Sequence, residues 1–392
     1  MPLVLLIPSL LLACGPDVTR QYEAEKSRAL AVATDHPAQW SPDLTLAIAT
    51  PDLARVTGVA VSTAIETISR KPIRLELPLG MSGELRPNLD FRNLTIAPSD
   101  ACGACFSFAA DLDGKAGWSV GPASGQVPLE VAATGVLEVT IQEGHTIGAK
   151  VFRVGRITVE TPSLGALNVD ARGPLQQSLR DVLQARVPPI RIADLDTAAL
   201  PVRDLRLHTA STGLTIDILS DVPGGTPVKA ASPPASGVRL TVSEATLTGL
   251  ARRAAFQAGV QQYDVAVDPR GLHLDGSTFT LDLRVWRLVG RGWWRDYKVT
   301  GAIGVDRGRI QLSPTEAKEV DASPGAGLVD PIAALLQGRI LDAIVNALDR
   351  SLPGHTTENL GAVKLSAAAS SVTGADNELY VVGSLVAAAP GR

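Results

Sequence analysis

Two cysteines three positions apart, Cys102 and Cys105, are the pair in this chain best placed for covalent chemistry. Close cysteines at the start of a helix can have a lowered thiol pKa and can exchange disulfides. Here the flanking segments 94–96 and 106–108 alternate apolar and polar residues, which favours strands on both sides. The pattern therefore favours a local structural disulfide over a redox site. A zinc site is not indicated, because no histidine lies nearby in the sequence.

Motifs for other chemistry are missing from the sequence. The histidines are scattered, and none forms a pair at metal-ligand spacing: His36, His145, His208, His273 and His355. The sequence contains no nucleophile elbow, no zinc-protease motif and no glycine-rich phosphate loop. The segments 111–114 and 268–271 combine Asp with Gly in a way that is typical of turns. We therefore predict a non-enzymatic protein with no cofactor and no metal.

A segment rich in tryptophan and arginine runs from Trp286 to Tyr297, with a predicted turn at Gly290–Gly292. Tryptophan favours the membrane interface and arginine suits lipid phosphates, so this hairpin could dock on a membrane. The alternative is ordinary cross-strand aromatic packing with arginine stacked above it. The residues of the predicted docking tip are Trp293, Trp294, Arg287, Arg291 and Arg295.

The chain opens with an apolar run of eleven residues, Leu3–Ala13, followed by Cys14. A bilayer span needs about 20 residues, whereas this length is typical of a signal-peptide core. The segment 11–14, Leu-Leu-Ala-Cys, resembles the lipobox of bacterial lipoproteins. That resemblance implies a signal peptide over 1–13 and a lipid on Cys14; the alternative is a secretory peptide with an incidental cysteine. Gly15 after the cysteine favours an outer-membrane lipoprotein facing the periplasm, where Cys102 and Cys105 would pair.

Composition suggests how the rest of the chain is divided. Charged residues make up 19% and aromatic residues 4%, so a large core must be built from aliphatic side chains. The net charge of −4 does not favour a nucleic-acid partner. Residues 14–41 are polar and mixed, which indicates a tether, and residues 222–236 have the Pro, Gly and Ser content of a linker. The predicted domains are therefore 42–221 and 237–390.

Each half repeats the same order of elements. A short alternating strand leads into a helix, strands with one charged face follow, and a longer helix and further strands close the half. An offset of 194 aligns the openings, and an offset of 165 aligns the closing helices. The aligned pairs are Leu46 with Leu240, Ile48 with Val242, Leu53 with Leu247, Val56 with Leu250, Leu175 with Ile340, Leu179 with Ile344 and Leu183 with Leu348. This pattern predicts an internal repeat with an insertion in the first half.

This order of elements, and the opening 238–250 of the second half, resemble the tubular lipid-binding superfamily of bactericidal/permeability-increasing protein and lipopolysaccharide-binding protein. The resemblance covers residues 42–390. It implies an α+β fold of two tandem repeats, each a strongly curved antiparallel sheet wrapped around a long helix. Acyl chains would lie in the apolar seam between helix and sheet. The chain departs from the family in its short-range cysteine pair and in lacking an evident cationic tip.

The predicted function is an envelope lipoprotein that binds or transfers phospholipid or a similar amphiphile. Its lipid partner would occupy the seam, and the membrane would be reached through Cys14. The alternative is a non-enzymatic scaffold lipoprotein with a filled core. The seam residues predicted from the inward helix faces are Leu53, Val56, Leu179, Leu183, Leu247, Leu250, Ile340 and Ile344.

Overall fold

We describe the protein from a computed structural model. The described residues are 18–32, 40–68, 72–76, 82–143, 146–160, 190–194, 200–229, 232–260, 264–290, 292–323, 357–359 and 364–388, with four single positions between 161 and 189. Strands hold 65% of these residues and helices 17%. The helices are α1 (Val18–Leu30), α2 (Thr50–Ile68) and α3 (Glu244–Ala258).

The strands form three antiparallel sheets, one of them a curled half-barrel. In chain order the strands are β1 (Leu44–Ala49), β2 (Ile73–Glu76), β3 (Ser82–Ser99), β4 (Cys105–Val120), β5 (Ala123–Gln142), β6 (Thr146–Glu160), β7 (Ile190–Asp194), β8 (Val202–Ala210), β9 (Gly213–Ser220), β10 (Val238–Ser243), β11 (Val265–Asp275), β12 (Thr278–Arg287), β13 (Trp293–Asp306), β14 (Arg309–Ala322), β15 (Thr357–Asn359), β16 (Lys364–Ala375) and β17 (Glu378–Ala388). The central sheet has the order β15-β16-β17-β10-β1-β9-β8. Strands β2 to β7 form a six-stranded sheet, and β11 to β14 form a four-stranded sheet.

The predicted α+β class, with sheets wrapped around a long helix, is wrong for the part of the chain that the structure describes. There the protein is mostly β, and its helices have 13, 19 and 15 residues. The two long helices predicted from Pro174 and Pro331 fall outside the described residues. The strand content exceeds the expectation because β3 to β6 run for 15 to 20 residues, and β4 continues through Gly114, where the sequence predicts a turn.

Two of those predicted turns lie inside strands. Asp113 and Gly114 belong to β4 and pair with both neighbouring strands. The segment 268–271 lies in β11, where the register against β12 shifts between Pro269 and Gly271. Such a bulge accommodates a proline that cannot donate to the ladder. An Asp-Gly motif therefore marked an irregular strand position here rather than a chain reversal.

The central sheet is shared by both halves of the chain, and its register carries the two offsets found in the sequence. Leu46 of β1 pairs with Leu240 of β10, the residue 194 positions later. On the outer sides of these strands, Leu46 pairs with Ile216 of β9 and Leu240 pairs with Val381 of β17. Ile216 and Val381 are 165 positions apart, which is the second offset. The two halves thus meet through equivalent strands.

The start of α2 is fixed by a contact with the other half. The Asp52 carboxylate accepts a hydrogen bond from the backbone N–H of Gly237, just before β10, at 2.5 Å. Asp52 also accepts from Arg55 one turn later at 2.9 Å. A carboxylate in the first turn of a helix is stabilised by the free N–H groups there.

The start of α3 has the equivalent contact, with Asp43 just before β1. Ser243 caps the helix by accepting from the N–H of Thr246, and the Thr246 hydroxyl donates to Asp43 at 3.2 Å. Asp43 also accepts from the Ser220 backbone N–H at 2.9 Å and from the Ser220 hydroxyl at 2.5 Å. Burial raises the pKa of Asp43, although these hydrogen bonds oppose the shift. Each helix is therefore fastened to the strand that opens the other half.

Part of the predicted tether is structured. Within residues 14–41, α1 packs along α3, and its Tyr22 is only 1% exposed. The Tyr22 ring lies 5.5 Å from that of Phe256 and 6.0 Å, edge-on, from that of Trp286. The segment was predicted to be a tether because a single short helix with one narrow apolar stripe shows too little hydrophobic periodicity.

Ion pairs also fasten α1. The Arg252 guanidinium of α3 bonds Glu25 of α1 at 3.0 Å and the buried Asp268 of β11 at 2.7 Å. Burial raises the pKa of Asp268 despite the bond from Arg252. The Arg253 side chain donates to the backbone carbonyl of Leu30 at 3.3 Å. The first helix is thus part of the folded body of the second half.

The predicted linker, 222–236, has neither helix nor strand where it is described, yet it lies against the body. Val222 and Val228 are buried, and the Val228 N–H donates to the Pro42 carbonyl at 2.8 Å. One apolar core runs from the strands of the first half to those of the second. The division into two domains remains a prediction.

Candidate functional site

The six-stranded sheet presents a continuous aliphatic surface on one side. Alternation of buried and exposed residues in parts of β3 to β6 places these side chains on this side. We call it the apolar inner face; its buried residues are Leu85, Leu89, Leu112, Ala116, Val120, Val127, Leu129, Val131, Ala133, Val154, Ile157 and Val159. These residues span 112–120 of β4 and 127–133 of β5, so at about 3.3 Å per residue the face extends for roughly 20–25 Å.

Two small residues lie within the apolar inner face of β4 and β5. Ala133 pairs with Ala110, and Gly114 pairs with Leu129, with the Leu112–Val131 pair between them. Among the described residues outside the sheet, one side chain packs against this cluster: Val61 of α2. Short aliphatic side chains line a surface without filling the space above it, which is the lining that apolar ligands require.

The four seam residues that can be placed lie elsewhere, in the core that joins the two halves. Leu53, Val56, Leu247 and Leu250 are at most 2% exposed and belong to that core. The other four predicted seam residues, Leu179, Leu183, Ile340 and Ile344, lie outside the described residues.

The helix surfaces around these four residues are closely packed. A methyl group added at Gly58 of α2 would lie 3.4 Å from the Phe91 ring, and one added at Gly249 of α3 would overlap Val222. The apolar inner face forms a separate cluster on the six-stranded sheet, and its residues are also buried, at most 8% exposed. The signal that could have located it is the long period-two alternation of β3 to β6.

The opposite face of the same sheet is polar. Asp90, Asp113, Glu130 and Glu160 occupy one row across four adjacent strands. The Arg92 guanidinium bonds Asp113 at 2.7 Å and holds the pKa of that carboxyl below its usual value. A shallow pocket of about 340 Å³ opens here, lined by Arg92, Asn93, Asp111, Leu112, Asp113, Glu130, Val131, Ala132, Thr158 and Glu160. Charged side chains dominate this side, which disfavours acyl chains.

The tryptophan-rich segment forms the hairpin of β12 and β13, but its aromatic rings do not project. Trp293 is 9% exposed, and Trp294 is half-buried under the Arg284 guanidinium, 3.6 Å from the ring centre. Arg295 is also buried and bonds Glu319 at 2.8 Å. Arg287 is half-buried, and Arg291 lies outside the described residues. Docking through these residues remains a prediction.

Cys102 and Cys105 form a disulfide in the turn between β3 and β4, with their Cα atoms 5.1 Å apart. The backbone between them accepts hydrogen bonds from two other strands. The Gly103 carbonyl accepts from the Thr209 N–H of β8 at 3.0 Å, and the Ala104 carbonyl accepts from the Val139 N–H of β5 at 2.9 Å. The bonded pair lies between strands rather than at a helix start, so it acts as a staple at this corner.

The described residues contain no cluster of three potential metal ligands. No helix among them is both long and apolar enough to cross a membrane. Neither Cys14 nor the apolar run before it belongs to the described part.

No family model matches the sequence, and no curated protein matches it. Among solved structures, a lipopolysaccharide binding protein is similar at 12% identity with a TM-score of 0.44; the match covers 88% of this chain and 99% of that one. The P47 protein of Clostridium botulinum A2 is similar at 11% identity with a TM-score of 0.33, covering 88% of this chain and 97% of that one. At these TM-scores, membership in the tubular lipid-binding superfamily remains a prediction. Among solved structures, the chain is similar to a lipopolysaccharide binding protein and to P47.

Proposed function

We propose that the protein binds an amphiphile such as a phospholipid, with its acyl chains against the apolar inner face of the six-stranded sheet. The observation that carries this proposal is a face of aliphatic side chains, at most 8% exposed, against which Val61 is the one described apolar side chain that packs from outside the sheet. Each methylene removed from water there would contribute about 0.8 kcal/mol. The polar head group would stay at the border of the sheet, where water remains.

The proposal extends to location. A lipid on Cys14 would hold the protein at a bacterial envelope membrane, and the chain would act as a carrier without catalysis. The rival function is a scaffold in which the apolar inner face is filled by the protein itself. The carrier and the scaffold predict different results when a larger side chain is placed on the apolar inner face.

Ala133 allows that test, because it is 3% exposed at the centre of the apolar inner face. In a carrier, Ala133→Phe would take the place of acyl chain, so the protein would keep its stability and lose most of its bound lipid. In a filled scaffold the same change would overpack the core and cost about 1–3 kcal/mol of unfolding free energy. The two measured quantities are the amount of bound lipid per protein and the urea concentration at the midpoint of unfolding.

The matched control is Ala132→Phe, which places the same ring on the outer face one residue away. It should change neither reading. A loss of stability in Ala133→Phe, with no lipid in either protein, would contradict the carrier function.

A further inference from the structure

One end of the four-stranded sheet carries exposed aliphatic side chains. Six large apolar residues among those described are about half exposed or more, and three of them lie towards this end. Val260 follows the end of α3 and is 47% exposed, and Val289 in the β12–β13 turn is 50% exposed. Val320, 62% exposed, lies two residues before the end of β14.

Hydrogen bonds hold these segments next to one another. The Leu288 N–H, beside Val289, donates to the Asp264 carbonyl in the loop that follows Val260, at 3.1 Å. The Ser323 N–H, just past β14, donates to the Trp294 carbonyl at 2.9 Å. The segments that carry the exposed valines are therefore held in place by backbone hydrogen bonds.

The N-terminus of α1 reaches the same end. A methyl group added at Gly292 would lie 3.1 Å from the Val18 Cβ, so the first turn of the helix touches the β12–β13 turn. Cys14 is four residues before Val18. Four residues span at most about 14 Å, so the lipid proposed on Cys14 would be attached within that distance of Val18.

We propose that this end, formed by Val260, Val289 and Val320 around the start of α1, is a membrane-docking face whose occupant is the lipid bilayer surface. It depends on the N-terminal anchor proposed above but not on an acyl chain in the sheet. Isolated exposed valines are common, but three on segments joined by hydrogen bonds, beside the start of the proposed anchor, can enter the acyl boundary together. The proposal moves the contact from the two tryptophans, which are packed inward, to the valines beside them.

Charges around the face are mixed: Arg287 precedes Leu288, whose N–H bonds the Asp264 carbonyl, and Asp321 follows Val320. Docking should therefore depend little on lipid charge. Vesicles of phosphatidylcholine, with or without phosphatidylglycerol, should give the same contact. A contact that requires the anionic lipid would overturn apolar docking.

The test places a single fluorescent label on the full chain reconstituted in vesicles. Cys102 and Cys105 are bonded to each other, so a cysteine introduced at position 260, 289 or 320 can be labelled with an environment-sensitive dye. The unsubstituted chain measures any label taken up by Cys14. Matched controls are Val32→Cys and Val386→Cys, which are 60% and 57% exposed in other parts of the protein.

Quenching by spin-labelled lipid should be several-fold stronger at positions 260 and 289 than at 32 and 386, with a blue-shifted emission. Position 320 should be intermediate. Equal quenching at all five positions, or a chain that does not associate with vesicles, would overturn the docking face. Bound acyl lipid is measured separately by extraction, so failure of the carrier function would be recognised independently.

Discussion

Replacing Asp43 tests how the two halves of the protein are held together. Its carboxylate accepts from the Ser220 N–H, the Ser220 hydroxyl and the Thr246 hydroxyl, and it is 4% exposed. In Asp43→Ala both hydroxyl oxygens still accept a hydrogen bond, Thr246 from Ser243 and Ser220 from the Val222 N–H, but their O–H groups lose the acceptor. The Ser220 N–H loses its acceptor in a buried place, which costs about 1–3 kcal/mol. With the weakened hydroxyl bonds, we expect a total loss of about 2–4 kcal/mol.

The effect of pH separates the charge of Asp43 from its hydrogen bonds. Burial raises its pKa in the folded protein above the unfolded value of about 3.9. The folded state therefore holds the proton more tightly, so this group's stabilisation is present below pH 3.9 and is lost as pH rises through the folded pKa. Asp43→Asn keeps an acceptor for the Ser220 N–H and cannot ionise. It should match or exceed the parent in stability at pH 7 and lose this part of the pH dependence.

Urea unfolding at several pH values between 3 and 7 measures both variants, with tryptophan fluorescence, to which the fully buried Trp286 contributes, as the probe. The expected order at pH 7 is Asp43→Asn equal to or above the parent, with Asp43→Ala well below both. If Asp43→Asn were as unstable as Asp43→Ala, the hydrogen-bond explanation would be refuted. An unchanged pH dependence in Asp43→Asn would show that another group titrates.

Three further predictions follow from single contacts. Tyr22→Ala removes a buried ring packed on Phe256 and Trp286, so α1 should detach and become sensitive to protease, whereas Arg28→Ala, on an exposed side chain, should not. Replacing Cys102 and Cys105 by serine should lower the unfolding free energy by roughly 2 kcal/mol through the short loop it opens, read from urea midpoints. Burial and the hydrogen bond to Glu378 raise the pKa of Tyr380 to about 12, so its phenol should titrate near that pH. The stability that this group contributes below about pH 10 should be lost as pH rises through 12. Absorbance titration of the parent protein against Tyr380→Phe checks this prediction.

The sequence predicted local elements better than the class of fold. The openings of both halves, β1 into α2 and β10 into α3, lie where a short alternation leads into an apolar helical stripe. Leu46 and Leu240, aligned only by an offset, turn out to be strand partners. Strand length was underestimated because prolines and glycines read as turns can also sit in bulged or strongly bent strands. The placement of α1 could not be predicted, since its docking depends on Phe256 and Trp286, more than 220 residues away.

The candidate site shows the same limit. Leu53 and Leu247 were predicted to face a seam because helix periodicity identifies a buried side but not what covers it. In the structure, the residues that cover Leu53 and Leu247 belong to the core that both halves share. The apolar inner face was visible as alternation in β5, yet its extent depends on four strands pairing in register, which no single segment encodes.

The most direct test of lipid binding is native mass spectrometry with lipid extraction on residues 16–392, which keep every described helix and strand. Our proposal predicts co-purifying phospholipid or fatty acid in stoichiometric amount, and its loss in Ala133→Phe but not in Ala132→Phe. An empty protein that also takes up no fluorescent lipid from vesicles would contradict the proposal and favour the filled scaffold.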